Sequence, residues 1–475
     1  MKLPKIIQGG MGVAISNWKL ARAVATQGHL GVVSGTAIHM IFISRLMSGD
    51  TGGHVRRALS AFPFPDSAKE IQEKYFVAEP KSPLPPYIRP PLPSLNPPRS
   101  LDELTVIANF VEVYLAKEGH DNAVGLNLLE KVQLQSMPSL YGAMLAGVDY
   151  VIMGAGVPVQ IPGILDRLIT HQPTSYRVDV LGATAEDDFR VHFDPQSLYP
   201  GAAEEIGELK RPKFLPVVSS VVLAKSLIKR SSGRVDGFVV EGPTAGGHNA
   251  PPRGAMRLDE NNEPIYGEKD SVNLSKIKEL GLPFWLAGGY DTHEGLQSAL
   301  DSGAAGIQVG TAFAYCEESG MDAALRQRIV KRVLAGDITV STSHIASPTG
   351  FPFKVVLEKG TLSDPEVYAD RERLCDIGLL RHPYKRLDGG VGYRCAAEPV
   401  ALHLAKGGSE EDTLDRKCLC NNLCATAGYP QHRKDGYVEP PMVTAGDTLK
   451  SIGKFIQPGR GSYTTRDVLD CLLGV

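Results

Sequence analysis

The chain has no uninterrupted apolar run of the ~18–20 residues needed to cross a bilayer, and this excludes a helical membrane span. It also has no excess of basic charge. Fifty Lys and Arg stand against 53 Asp and Glu, a net charge of −3. Without a basic field, neither nucleic acid nor an acidic membrane surface is an expected partner. The N-terminal stretch from Met1 to Gly10 breaks into glycines after two isoleucines. It lacks the apolar core of a secretory signal. Cysteines number seven, an odd count, and are spread unevenly. With no export signal, reduced thiols in a cytoplasmic protein fit better than a disulfide frame. A complete Gly-x-Gly-x-x-Gly loop and a Walker-type phosphate loop are both missing, which argues against a dinucleotide or a nucleoside triphosphate. His293-Glu294 is not followed by a second histidine at the spacing of a zinc helix. No internal repeat is present beyond a strand–helix alternation.

What remains is ordinary globular composition, 43% hydrophobic and 22% charged over 475 residues, ample for a large core. Short apolar runs recur and are separated by helical patterns. Strands are expected at Lys5–Gln8, Leu30–Ser34, Ala123–Leu128, Tyr150–Gly154, Phe214–Ser219, Val235–Glu241, Pro283–Ala287 and Gly306–Gly310. Helical patterns fall at Trp18–Gln27, Ser139–Ala146, Val159–Thr170, Val221–Lys229, Leu274–Leu280, Thr292–Ser302 and Met321–Leu334. Eight buried strands alternating with helices predict a parallel sheet closed as a (β/α)₈ TIM barrel over residues 1–346. Insertions interrupt it at about 50–120 and 173–212. The first carries nine prolines in the nineteen residues Pro80–Pro98. That composition predicts an extended arm lying on the barrel or on a neighbouring subunit. The second alternates apolar and polar residues over Tyr176–Leu181 and Asp188–Phe193, the pattern of a hairpin. Residues 347–475 predict a mostly helical C-terminal subdomain.

The densest chemistry lies at Glu241-Gly242-Pro243-Thr244-Ala245-Gly246-Gly247-His248. An apolar strand ends, paired glycines let the backbone approach something flat, and a histidine follows. Histidine at a strand end on such a loop suits proton transfer at neutral pH. Two further strands end in glycine, Ala287-Gly288-Gly289 and Val309-Gly310-Thr311. Two consecutive strand–glycine–helix units set backbone N–H groups side by side, as the last two units of a barrel do around one phosphate. A single phosphate site suits a mononucleotide.

These segments, together with Ile6-Ile7-Gln8-Gly9-Gly10-Met11-Gly12 and Gly125-Leu126-Asn127, resemble the nitronate monooxygenase (2-nitropropane dioxygenase) family. Its superfamily also holds FMN-dependent enoyl-acyl-carrier-protein reductases and trans-acting enoyl reductases of synthases. The resemblance covers about Lys2 to Val356. It implies FMN at the C-terminal mouth of the barrel. Gly9, Gly10 and Met11 would run beside the flavin ring, with Ala245, Gly246 and Gly247 on the facing loop. Asn127 and Glu241 would bond the ring or the ribityl chain. Gly288, Gly289, Gly310 and Thr311 would hold the phosphate, and His248 would be the catalytic acid or base. The tail beyond 346 and the extension Asn249–Gly254 depart from the family's short members and look more like its long, synthase-associated branch.

Three functions remain open: oxidation of alkyl nitronates or nitroalkanes with O₂, NAD(P)H-dependent reduction of an enoyl thioester, and a non-catalytic flavin-binding subunit. His248 argues against the last. The substrate is a small molecule or an acyl thioester. An acyl carrier protein and a second copy of the chain are partners compatible with the resemblance. Cys418-x-Cys420-x₃-Cys424 with Cys395 upstream departs from metal-ligand spacing. No metal is expected there, the thiols serving as small buried hydrophobes.

Overall fold

The computed structural model describes residues 3–475. Met1 and Lys2, where the N-terminal reading and the resemblance begin, lie outside the described residues. Eight parallel strands form one sheet: β1 Ile6–Gln8, β2 Gly31–Ser34, β3 Val124–Leu129, β4 Tyr150–Gly154, β5 Lys213–Val218, β6 Phe238–Glu241, β7 Phe284–Ala287 and β8 Gly306–Val309. Each pairs with its sequence neighbour from β2 to β8. β1 pairs with β8, with Ile6 opposite Ile307. A bridge between Ile7 and Leu30 joins β1 to β2 and closes the ring. The fold is the expected (β/α)₈ barrel.

Its strands read as continuous apolar runs because both faces are covered. Inside, Ile7, Leu30, Val32, Tyr150, Ile152, Leu215, Val239, Trp285 and Ala287 fill the bore. Outside, a larger core packs the strands against the helices. Helix starts are marked by local chemistry. Asn17 accepts from the Leu20 N–H ahead of helix Trp18–Ala25, and Thr292 accepts from the Gly295 N–H ahead of helix His293–Asp301. Each cap satisfies a donor that the helix leaves free.

The first insertion contains more helix than its sequence advertises. Helices Ile38–Met47, His54–Leu59, Pro65–Tyr75 and Arg99–Lys117 all lie between β2 and β3. In the last, thirteen of nineteen residues are buried, so its apolar stripe is too wide for a one-sided helical period. The buried Glu112 inside it is neutralised by Arg45 at 2.6 Å and also accepts from the Trp18 N–H. The proline-rich arm is extended, as expected, and it packs on the C-terminal subdomain. The Tyr87 backbone exchanges bonds of 2.9 and 3.1 Å with the Gln431 amide, and Arg89 pairs with Asp376 at 3.0 Å. The second insertion forms the expected hairpin, Thr174–Arg177 against Arg190–Phe193.

From residue 340 the chain leaves the barrel. Strands Val340–Ser343 and Phe353–Val356 pair antiparallel across the expected boundary at 346. Beyond it come helices Pro365–Asp370, Val400–Ala405, Leu419–Thr426 and Thr465–Leu473, and a second hairpin, His382–Lys385 with Val391–Arg394. The last helix docks on Trp18–Ala25 and His293–Asp301. Among the described residues, no helix is long and apolar enough to cross a membrane.

Candidate functional site

At the C-terminal mouth of the barrel lies a cavity of about 280 Å³. All thirteen residues singled out from the sequence line it: Gly9, Gly10, Met11, Asn127, Glu241, Ala245, Gly246, Gly247, His248, Gly288, Gly289, Gly310 and Thr311. They arrive from five strand ends. The barrel does this because all its strands run the same way, so their C-terminal loops converge.

One wall is packed backbone to side chain. A Cβ on Gly10 would lie 2.1 Å from the Asn127 Cβ. The Asn127 amide donates to the Ile152 carbonyl at 3.3 Å. A second stretch of wall is the end of β7 and β8. Gly288 and Gly289 have φ of +88° and +84°, the left-handed region that glycine occupies without strain. Gly310 has ordinary backbone, and a Cβ there would meet nothing nearer than the Met11 Sδ at 3.6 Å. Side chains on Gly289 and Gly310 would project into the cavity. Among the described hydrogen bonds, the backbone N–H groups of Gly289, Gly310 and Thr311 find no protein acceptor. The buried Gln308 Oε1 has no donor. Free N–H groups on a glycine cradle and an unfilled acceptor on the cavity wall fit a phosphate-bearing ligand with a ring N–H.

His248 Nε2 lies 2.7 Å from the hydroxyl of buried Ser347, which in turn lies 2.8 Å from the Thr349 hydroxyl. The imidazole packs edge-on against Phe353, with ring centroids 4.8 Å apart. Burial pushes its pKa down to about 4. Burial also pushes Glu241 up to about 8, with no ion pair to offset it. At neutral pH the pair is therefore a neutral imidazole and a protonated carboxyl. This divides the proton work that the sequence assigned to one residue. His248 is poised to take a proton, and Glu241 holds one to give.

The sequence missed the roof. Leu379, Leu380, Leu419, Cys420, Leu423, Thr426, Met442, Thr444, Ala445 and Thr448, all from the C-terminal subdomain, line the same cavity. A strap at 443–447 is stitched to the glycine loop. The Gly247 N–H donates to Thr444 Oγ1 at 3.0 Å, the Asp447 N–H to the Thr244 carbonyl at 3.0 Å, and the Gly446 N–H to Thr311 Oγ1 at 2.8 Å. The Thr311 hydroxyl thus already has a protein partner. Buried Lys354 holds the strap with its ammonium 2.7 Å from Asp447. Only the small residues Thr444-Ala445-Gly446 hint at this in the sequence.

The thiols gather differently from the sequence pattern. Cys375, Cys395, Cys418 and Cys420 surround a void of about 10 Å³, and Cys375 replaces Cys424 in the group. Among the described residues, no group of three or more His, Cys, Asp or Glu is arranged to hold a metal ion.

Residues 202–348 match the family model described as nitronate monooxygenase. A nitronate monooxygenase of Pseudomonas aeruginosa is 30% identical over 188 residues, 37% of this chain and 51% of that protein. A Mycobacterium tuberculosis protein named (3aS,4S,5R,7aS)-5-hydroxy-7a-methyl-1-oxo-octahydro-1H-indene-4-carboxyl-CoA dehydrogenase is 31% identical over 140 residues, 30% of this chain and 35% of that protein. The chain thus spans about half the length of the first relative and a third of the second. Among solved structures, FabK from Thermotoga maritima aligns over 99% of this chain and 92% of its own, at 16% identity and a TM-score of 0.45. Nitroalkane oxidase from Streptomyces ansochromogenes aligns over 99% and 95%, at 13% identity and a TM-score of 0.47. The matched segment holds β6 to β8 with the His248 loop and both glycine ends, so the similarity to the nitronate monooxygenase family falls on the part of the barrel that carries a large part of the cavity wall.

Proposed function

We propose that the chain is an FMN-dependent oxidoreductase that oxidises alkyl nitronates or nitroalkanes with O₂. The observation that carries this reading is the cavity itself. A glycine cradle with free N–H groups at the ends of β7 and β8 adjoins Gly9–Met11 at the end of β1, and Glu241 and His248 line the same cavity from the end of β6. When bound, FMN would supply the electron transfer, and the chain supplies position and proton control. Gly289, Gly310 and Thr311 would bind the phosphate through backbone N–H groups. Gln308 and Asn127 would orient the ring, and the strap would keep water out.

His248 removes the proton from the carbon beside a nitro group. Its Nε2 is held by Ser347 at 2.7 Å, and among the described residues Nδ1 has no hydrogen-bond partner. Its low pKa keeps it unprotonated throughout the neutral range. A nitronate has already lost that proton, so it needs His248 less.

The Mycobacterium relative, whose name specifies a carboxyl-CoA substrate, favours a second reading, NAD(P)H-dependent reduction of an enoyl thioester. There the protonated Glu241 is the donor suited to the substrate carbon. Anaerobic mixing separates the two. Flavin bleaching by 2-nitropropane nitronate without nicotinamide supports the first. Bleaching by NADH or NADPH, reversed by crotonyl-CoA, supports the second. Purified protein that releases FAD, or binds no flavin on reconstitution, overturns both.

A further inference from the structure

A second cavity, of about 240 Å³, adjoins the first. Glu241 and His248 line both, as do Ala155 and Val217. The two spaces therefore meet at the groups that hold and move protons. The second is roofed by the excursion at 249–270, whose first part, Asn249–Gly254, the sequence marks as departing from the short family members, and by Phe351 from the crossing into the C-terminal subdomain.

The polar groups of that roof are spent on each other. The Tyr266 hydroxyl donates to the Ala250 carbonyl at 3.0 Å. The Arg253 N–H donates to Asp270 at 2.8 Å, and the Arg253 guanidinium donates to the Lys269 and Ser219 carbonyls. The remaining walls are apolar, chiefly Val157, Val217, Val218, Leu223, Pro243 and Phe351. Among the fully buried side-chain polar atoms of the described residues that line this cavity, one is without a partner. Asn249 is 1% exposed, and its amide N–H donates to the Ala245 carbonyl at 3.0 Å. That bond fixes which way the amide points and leaves Oδ1 as a buried acceptor with no donor. A buried acceptor of this kind calls for a donor, and nothing in the described protein supplies it.

We propose that this second cavity binds the body of the organic substrate: a short apolar chain or ring ending in a neutral group that offers an N–H or O–H to Asn249 Oδ1 and an oxygen to the Glu241 carboxyl. The assignment as a substrate chamber rests on the oxidoreductase reading above; the site and its ligand chemistry do not. An apolar chain lies along Val157, Val218 and Leu223. Its polar end reaches the passage between Glu241 and His248, where the first cavity begins. Charged ends are disfavoured, because the inner wall carries no formal charge at neutral pH and burying an unpaired ion there is costly.

Hexanamide has this chemistry and is redox-inert. Titrated calorimetrically into the purified, flavin-loaded protein, it is expected to bind, with hexanoate at least tenfold weaker at pH 7. Val157 and Leu223 lie outside the first cavity. Val157→Trp and Leu223→Trp are each expected to weaken hexanamide at least tenfold with flavin content unchanged. Thermal unfolding of each variant reports whether it folds. Unchanged hexanamide affinity in both folded variants, or no binding by the parent protein at millimolar concentration, overturns the proposal. Loss of hexanamide in the variants of a protein whose flavin no nitronate or thioester can alter upholds the chamber and sinks the oxidoreductase reading. Intact nitronate or thioester chemistry, with hexanamide affinity unmoved by Val157→Trp and by Leu223→Trp, does the reverse.

Discussion

At the scale of single residues, burial decides what the sequence could only nominate. His248 was legible because histidine after paired glycines at a strand end is a chemical signature. Its charge state was not, because Ser347 and Phe353 lie about a hundred residues away in the chain. With its pKa near 4, the wild-type kcat/KM with a neutral nitroalkane should climb through pH 4 and stay level between about pH 5 and 7. Glu241 then begins to ionise towards 8. His248→Ala should lower kcat by about 10²–10⁴-fold with flavin still bound, the usual range for a lost acid–base group. The loss should be larger with nitroalkane than with nitronate, and steady-state kinetics on both substrates checks it. The glycines proposed to hold the phosphate divide in a way the sequence did not show. Gly289 has φ of +84°, so any side chain strains it, whereas Gly310 has ordinary backbone and a Cβ there would meet only the Met11 side chain at van der Waals distance. Gly310→Val should therefore abolish flavin retention while apoprotein Tm stays within a few degrees. Gly289→Val should lose both. Absorbance at 450 nm and apoprotein thermal melts separate these outcomes.

At the scale of elements, the barrel was legible and its roof was not. All eight strands fall within a few residues of their expected positions, because buried parallel strands are short apolar runs ended by glycine. The helix Arg99–Lys117 escaped notice because it is buried nearly all round and shows little one-sided period. The strap at 443–447 escaped for the opposite reason. An extended segment held by backbone bonds to a distant loop has no periodicity to detect. Its tightest point is Gly446, where a Cβ would sit 2.8 Å from the Thr244 carbonyl and 3.1 Å from Thr311 Oγ1. Gly446→Val should push the strap off the glycine loop and weaken FMN binding at least tenfold, although Gly446 lies 135 residues from Thr311 in the chain. Fluorescence titration of the apoprotein with FMN measures this. A variant that binds FMN as tightly as the parent would show that the roof is dispensable for the cofactor.

At the scale of the whole molecule, the proline arm proved to be a clasp. Its composition gave its conformation, since a run this dense in proline lacks the N–H donors that a helix interior or a strand ladder needs. The surface it would cover was not written locally. That surface is an ionic cluster in which Asp376 receives Arg89 at 3.0 Å and Arg433 at 2.8 Å. Burial alone would raise the Asp376 pKa, but Arg89, Asn421 and Arg433 together hold it down at about 2. A carboxylate whose folded pKa is depressed stabilises the fold above its unfolded pKa, and that contribution fades as pH falls through the folded value. Asp376→Asn should thus lower stability at pH 7 by about 1.5–3 kcal/mol, the range for hydrogen bonds to charged groups. Parent and variant should converge as pH approaches 2, which chemical denaturation at pH 7, 4 and 2.5 can follow.

The arm and the strap together set an order of events during synthesis. A ribosome completes β8 at Val309 well before it makes Thr444, Gly446 or the Gln431 that grips Tyr87. Until those residues emerge, the nascent barrel holds an open cradle and an arm without its Gln431 partner. The cradle is therefore finished by residues made long after its glycines, and a bound cofactor would be enclosed only once the strap has closed over the glycine loop.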